Sequence, residues 1–414
     1  MLPMSHLASK FRLLCLSNGH GEDIIAVRIL QELQQCSVDL DIAALPIVGE
    51  GRAYITAGIP IVGSVQVMPS GGFIYMSGRQ LMRDLQGGLL QLTLTQTKAL
   101  RTWLKQGGVV LAVGDIVPLL FAWWSGVDYA FVGTAQSEYY IRDDVKMLAK
   151  PSILDRCLGL SESVYHPFYR WLMFHPRCKA VFPRDSLTAK NLQKWSIPVF
   201  DLGNPMMDRL EPTRSLQLPH QPSLTILLLP GSRTPEAYAN WQQILQAVVN
   251  LSETFSDRSL QFLGAIAPGV STEPLCQMLV SAGFCLSKDL TFNYKNASIV
   301  LTQKAYNDCL HLADIAIAMA GTATEQFVGL GKPAILIPGK GPQFTYNFAE
   351  AQSRLLGSSV ILLQQPQQAG EAIKSLLVDS DRLAQIAANG YRRMGAPGAA
   401  QRIAERLIEQ FGAN

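Results

Sequence analysis

The sequence predicts an α/β protein with two Rossmann-like domains built on parallel sheets. Three observations support this. A chain of 414 residues has room for two domains at roughly 100–200 residues each. Its composition, 48% hydrophobic and 16% charged, can bury large cores and is too apolar for a disordered chain. Short apolar runs alternate with helical patterns, the signature of successive βαβ units.

In the first half, 12–16 reads as a strand, 22–33 as a helix with Ile25, Ile29 and Leu33 on one face, and 38–45 as a second strand. Segments 109–113, 129–132, 180–182 and 199–202 read as later strands. In the second half, 224–229 is a buried strand, and 237–255 carries Trp241, Ile244, Leu245, Val248 and Leu251 at helical spacing. Strands at 261–267, 297–301, 315–319, 334–338 and 360–363 follow, giving one doubly wound sheet. Between the halves, 204–223 holds four prolines and reads as a linker. The expected domains are therefore 1–205 and 206–414. No internal repeat with a period of 20–50 residues is visible.

Several function classes are disfavoured at once. With 35 basic and 32 acidic residues, a net charge of +3 and dispersed positives, no nucleic-acid footprint is expected. Seven cysteines without a CxxC pair fit neither a disulfide framework nor a zinc knuckle, and they point to a reducing compartment. The apolar run near the N-terminus is too short for a signal-peptide core. The stretch 109–132 is interrupted by Asp115, Pro118, Gly126 and Asp128, so no spanning helix is expected. Histidines lie without ligand spacing, and the DxD pairs Asp39/Asp41 and Asp379/Asp381 fall where solvation or helix capping explains them. No metal site is expected.

Three loops in the second half carry the strongest chemical signal. After the strand at 315–319, Gly321, Thr322, Thr324 and Glu325 form a small-residue loop entering a helix, whose unpaired N–H groups and positive dipole end suit a phosphate. Glu325 would repel a phosphate but could hydrogen-bond a ribose diol just beyond it. A well-capped buried helix with a threonine cap is the competing explanation. Pro230, Gly231, Ser232 and Arg233 follow the strand at 224–229, so they open at the same carboxyl edge, where ligands bind in open α/β folds. Arg233 offers a fork matched to phosphate oxygens. In the third loop, Gln343 and Asn347 stand one helical turn apart and suit sugar hydroxyls, unless they serve only turn and cap chemistry.

The first half opens with Gly19, His20, Gly21, Glu22 and Asp23 after its first strand. This superficially matches a dinucleotide fingerprint, with Asp41 about 20 residues on as the ribose acid. Ile24 replaces the third glycine, and two carboxylates occupy the helix start where a pyrophosphate should sit, so a nicotinamide site is disfavoured. His20 and Asp115 are rival candidates for a general base near neutral pH. Each has a structural alternative, Asp115 as a helix cap.

At these residues the sequence resembles the lipid-A-disaccharide synthase family and, more distantly, the UDP-GlcNAc transferase that makes lipid II. The matched pieces are Leu-Leu-Pro-Gly-Ser-Arg ending at Arg233, Ala-Gly-Thr-Ala-Thr-Glu ending at Glu325, and Gly331-Lys332-Pro333 with its following strand. Gly203-Asn204-Pro205 and Gly21-Glu22 are weaker echoes. The resemblance implies a GT-B glycosyltransferase, two Rossmann-like domains facing across a cleft, with segment 397–411 crossing back onto the first. It implies that Gly231, Ser232, Arg233, Gly321, Thr322 and Thr324 hold the donor diphosphate, that Glu325 binds ribose, and that Gln343 and Asn347 contact the sugar. Gly19, Gly21, Glu22 and Asn204 would lie on the acceptor side.

The departures fall on that acceptor side. The family's Ser-Gly-Asp is replaced by Asp23-Ile24-Ile25, its Gly-His-Pro reads Gly-Asn-Pro, and its acceptor segment has no counterpart at 134–140. The implied activity is inverting transfer from a UDP-sugar, UDP-GlcNAc or an acylated derivative, to a lipid-linked or amphipathic acceptor. The UDP-sugar is a substrate, and no cofactor is expected. A nucleotide-sugar 2-epimerase and a non-catalytic binder of sugar nucleotides or lipids are the alternatives. Segments 65–76, 79–105 and 165–179 mix aromatic, apolar and basic residues and would supply peripheral contact with the cytoplasmic face of a membrane. The sequence assigns no oligomeric state.

Overall fold

The computed structural model describes residues 11–36, 39–65, 89–143, 147, 162–216, 218 and 223–412. The chain forms two compact units, Met1–Asp208 with Ala396–Asn414, and Arg209–Gly395. The second unit ends at Gly395, and Ala396–Asn414 belongs to the first.

In the first unit, β1 (Phe11–Ser17), β2 (Leu40–Pro46), β3 (Val109–Gly114), β4 (Tyr129–Gly133) and β5 (Cys178–Pro183) form a parallel sheet in the order β2-β1-β3-β4-β5. Its helices are α1 (His20–Gln35), α2 (Arg52–Thr56), α3 (Leu89–Leu104), α4 (Ile116–Trp124), α5 (Pro167–Phe174) and α6 (Ser186–Gln193). The strands read as continuous apolar runs because both faces are covered, and Leu14, Leu16, Val110, Phe131 and Val181 sit in the core. Ser17 pairs level with Val113, and Gly114 with Gly133, so the loops after β1, β3 and β4 leave one edge side by side. The expected strand at 199–202 is absent, with only a single bridge joining Val181 and Val199. The next rung toward 202 would need an N–H from residue 183, which is proline.

The C-terminal helix, Ala399–Phe411, belongs to this first unit and packs on α1. Ala400, Ile403, Ala404, Leu407 and Phe411 make its buried stripe. Asp208 holds its start, accepting from the N–H groups of Gly398 at 2.6 Å, Ala399 at 3.1 Å and Ala400 at 2.7 Å. These are donors that a helix leaves unpaired.

The second unit has strands β6 (Leu224–Leu229), β7 (Leu260–Ala265), β8 (Cys285–Lys288), β9 (Thr291–Tyr294), β10 (Ala297–Thr302), β11 (Ile315–Ala318), β12 (Ala334–Leu336) and β13 (Val360–Leu362). Their order is β13-β12-β11-β6-β7-β10-β9-β8. The helices are α7 (Glu236–Thr254), α8 (Glu273–Ser281), α9 (Tyr306–Leu312), α10 (Thr322–Gly329), α11 (Tyr346–Leu356), α12 (Ala369–Leu377) and α13 (Ser380–Met394). Six strands are parallel, and β8 and β9 add an antiparallel edge. The sequence reading lacked that hairpin because β8 is exposed along its whole length and carries no apolar alternation.

Candidate active site

Both sheets reverse their winding once, and the chemistry-bearing loops stand at those reversals. In the second unit the chain lays β7 beside β6, forms the far edge with β8 and β9, and comes back in to β10 beside β7. It then crosses to the other side of β6 for β11, β12 and β13. The loops after β6 and β11 therefore part at a topological switch point, the usual ligand position of an open α/β sheet. Ala318 pairs level with Leu229, and the Met319 N–H donates to the Leu229 carbonyl at 2.8 Å, so the two loops start side by side.

Gly231 has φ of 95°, and a Cβ there would lie 3.2 Å from the Met319 carbonyl oxygen. The position needs glycine both for its backbone and for this close approach. Beside it, Ser232 is exposed and Arg233 half-buried. Burial lowers the Arg233 pKa and Glu236 opposes that pull, and the guanidinium remains charged. Gly321 caps α10 without a side-chain hydrogen bond, and a Cβ on it would meet no atom closer than the Phe348 ring at 3.6 Å. Thr322 is exposed.

Buried polar residues that the sequence reading did not single out shape these loops. Asn240 donates Nδ2 to the Pro230 carbonyl at 3.0 Å. Gln352 donates Nε2 to the carbonyls of Ala320 at 3.3 Å and Gly321 at 3.0 Å. Each amide engages carbonyl oxygens that would repel an anion if they faced it. Glu236 accepts from the N–H groups of Gln343 at 3.1 Å and Phe344 at 2.9 Å, fixing the third loop against α7. Gly341 makes room for it, since a Cβ there would fall 2.6 Å from the Glu236 side chain.

Two expectations about donor residues need correction. Thr324 is fully buried and gives its hydroxyl to the Ala320 carbonyl, so it closes the first turn of α10 and has no hydroxyl to offer a ligand. Gln343 and Asn347 do not share a helix. Thr345 caps α11 by accepting from Phe348 N–H at 3.3 Å, which leaves half-buried Gln343 in the loop and exposed Asn347 in the first turn. Glu325, 8% exposed, lies in the first turn of α10.

The first unit repeats the device. Its chain makes β1 and β2, then crosses to the other side of β1 for β3, placing the loops of Asn18 and Asp115 at a switch point. Asn18 donates Nδ2 to Asp115 Oδ2 at 3.1 Å and its backbone N–H to Glu22 Oε2 at 3.1 Å. Asp115 also caps α4, accepting from Val117 N–H at 2.8 Å. Burial pushes the Asp115 pKa up to about 6. Burial, with the nearby Asp115 charge second, holds Glu22 well above the usual carboxyl range. The Thr134 hydroxyl donates to Glu22 Oε1 at 3.2 Å. Asp23 is engaged by Ser17, whose hydroxyl donates to Oδ1 at 2.6 Å.

Gly19 caps α1 with φ of 98°, and exposed Gly21 follows in the first turn. His20 begins that helix, and its side chain lies outside the described residues. Asn204, expected on the acceptor side, is 3% exposed and accepts from Met206 N–H at 3.0 Å. It is a buried turn cap, so its side chain is not presented to an acceptor. Asp41 pairs with Arg12 at 2.7 Å, and Asp379 caps α13. Among the described residues no cluster of three His, Cys, Asp or Glu side chains could hold a metal ion.

The expected membrane segments 65–76 and 79–88 lie outside the described residues except for residue 65. On the rest, Leu94 of α3 and Phe168, Trp171 and Phe174 of α5 are exposed. Phe168 stacks on Trp171 with centroids 5.9 Å apart. Among the described residues no helix is long and apolar enough to cross a membrane.

No protein-family model matches the chain. A lipid-A-disaccharide synthase of Geobacter sulfurreducens is 25% identical over 219 residues, which is 51% of this chain and 51% of that protein. The match thus spans about half the length of that relative. CalG4, the calicheamicin glycosyltransferase, superposes with a TM-score of 0.59 at 14% identity, covering 98% of this chain and 99% of its own. The UDP-GlcNAc 2-epimerase of Neisseria meningitidis, solved bound to UDP-GlcNAc, superposes with a TM-score of 0.55 at 14% identity, covering 96% and 100%. The fold is that of the GT-B class, two Rossmann-like α/β units with parallel sheets.

Proposed function

We propose that the protein is an inverting glycosyltransferase that moves a sugar from a UDP-sugar, UDP-GlcNAc or an acylated derivative, to a lipid-linked or amphipathic acceptor. The observation behind this reading is the second unit's switch point. There the Gly231 backbone, the Arg233 guanidinium and the uncapped N-terminus of α10 leave adjacent strand ends while Asn240 and Gln352 engage the loop carbonyls. Such a rim suits a diphosphate. Arg233 and the α10 terminus would stabilise charge growing on the departing UDP, the electrostatic contribution that is usually largest. Glu325 would accept from the ribose hydroxyls.

His20 or Asp115 would take the acceptor proton. The raised Asp115 pKa, about 6, supports Asp115, because a base working near neutrality is best tuned there. The UDP-sugar is the only small molecule the reading requires. Phe168, Trp171 and Phe174 support peripheral contact with the cytoplasmic face of a membrane, since an aromatic ring sits well at a headgroup boundary.

The epimerase reading has equal support from fold, because 2-epimerases share it. Incubation with UDP-GlcNAc alone separates the two. Transfer predicts no epimer without an acceptor, and sugar attached to a lipid-linked acceptor when one is added. An epimer formed from UDP-GlcNAc alone would overturn the transferase reading.

A further inference from the structure

Half-buried Glu22 and buried Asp115 stand together at the first unit's switch point, and two neighbouring carboxyl groups do not both ionise cheaply. Asn18 ties them, its backbone N–H to one and its side chain to the other, each at 3.1 Å. Gly114, with φ of 131°, supplies the space, since a Cβ there would lie 2.6 Å from the Glu22 carboxyl. The donor sets are unequal. Both stand at the positive end of a helix, Glu22 in the first turn of α1 and Asp115 at the cap of α4, but Asp115 also receives the Val117 N–H at 2.8 Å whereas Glu22 has the longer Thr134 contact at 3.2 Å.

The surrounding groups do not reverse this order. Asp23 of α1 is held by Ser17, which also meets the Tyr54 hydroxyl of α2 at 2.6 Å. The Tyr169 oxygen of α5 accepts from Ile116 N–H at 2.8 Å, on the Asp115 side. Arg184, after β5, donates to the Thr134 carbonyl at 3.0 Å.

We propose that Glu22 is the positioning partner of Asp115, keeping its own proton while Asp115 ionises, so that the pocket offers a single carboxylate to the acceptor. This rests on the transferase reading for its use. The acceptor O–H bond breaks and its proton goes to Asp115. The oxygen's electron pair forms the bond to the anomeric carbon, and the bond to the UDP oxygen breaks with its pair leaving on the diphosphate. A neutral Glu22 keeps the Asn18 contact and reverses the Thr134 bond, its own O–H donating to the Thr134 hydroxyl, without a second charge competing for the same proton.

The test is a carboxyl-carbon NMR titration of the full chain, assigned with E22Q and D115N, which needs no substrate. The expected result is two separate steps. Asp115 titrates near 6 in the wild type and within a few tenths of that in E22Q, while D115N lowers the Glu22 midpoint by about one pH unit or more. Should either variant fail to fold, the wild-type titration with the other still assigns the order. Glu22 titrating in the ordinary carboxyl range, or an Asp115 midpoint that falls in E22Q, overturns the proposal. For an active enzyme the rate profile should also lose its alkaline limb in E22Q, which a purely structural role would not move. The titration stands whether or not a UDP-sugar proves to be the substrate, so the two readings fail separately.

Discussion

Single residues show where chemistry and packing compete. Asp115 is both a helix cap and a carboxyl whose burial lifts its pKa from 3.8 to about 6. A raised carboxyl pKa means that the folded protein binds more protons than the unfolded chain between those values, so this group costs stability as pH rises through that window. Asparagine caps helices as well as aspartate does. D115N should therefore exceed the wild type in stability at pH 8 by on the order of 1–3 kcal/mol. The gain should fade through about pH 4 and vanish by about pH 2, where the carboxyl is protonated in both states. Denaturant unfolding at the two pH values checks this, and a gain that persists in acid would be wrong in sign. Glu325 belongs to the same scale. E325A should weaken UDP binding by removing an acceptor for ribose hydroxyls, by roughly tenfold for a hydrogen bond to a charged group, as read by calorimetry. Arg233 and Gly231 were legible in the sequence because strand, glycine and arginine stand together in it. Asn240, Gln352 and Glu236 were not, because their partners lie on loops remote in sequence and no spacing rule points to them.

Elements were read more reliably than their ends. Apolar runs gave every parallel strand of the second unit, since burial on both faces leaves a continuous signal. The same logic failed for 199–202, where Pro183 cannot donate to continue the ladder, and for exposed β8. It also placed Gln343 and Asn347 one turn apart, when the threonine cap at 345 starts the helix between them. The expected linker shows another long-range device. Asp308 of α9 accepts from Thr213 Oγ1, the N–H groups of Arg214, Ser215 and Leu216, and Ser215 Oγ, at 2.7 to 3.0 Å. Burial would raise its pKa, but these donors outweigh burial and hold it below the usual carboxylate range. D308A should cost about 2–3 kcal/mol in denaturant unfolding. A depressed pKa stabilises above the unfolded value and loses that contribution as pH falls through the folded one. The wild-type advantage should therefore shrink in acid, and an advantage independent of pH would contradict the charge-assisted anchoring.

At the scale of the whole molecule, the division at Asp208 and the return of the chain at Ala396 make the last helix part of the first unit's core. Ile403, Leu407 and Phe411 bury their side chains there, each worth about 1.5–3 kcal/mol on removal from water. Ending the chain at Gly395 should lower the unfolding transition of the first unit while leaving that of 209–395 nearly unchanged, as followed by calorimetry with limited proteolysis. Loss of both transitions together would show that the units do not fold separately. The same fold serves transferases and epimerases, so function rests on the site. Central to the account is that the second unit's switch point grips a nucleotide diphosphate. Isothermal titration of UDP into the wild type and into R233A tests it most directly. Saturable binding by the wild type and a loss of about 10–100-fold in R233A, the effect of deleting a charge-assisted contact, are expected. Equal affinity in both proteins, or no binding by the wild type, would contradict it.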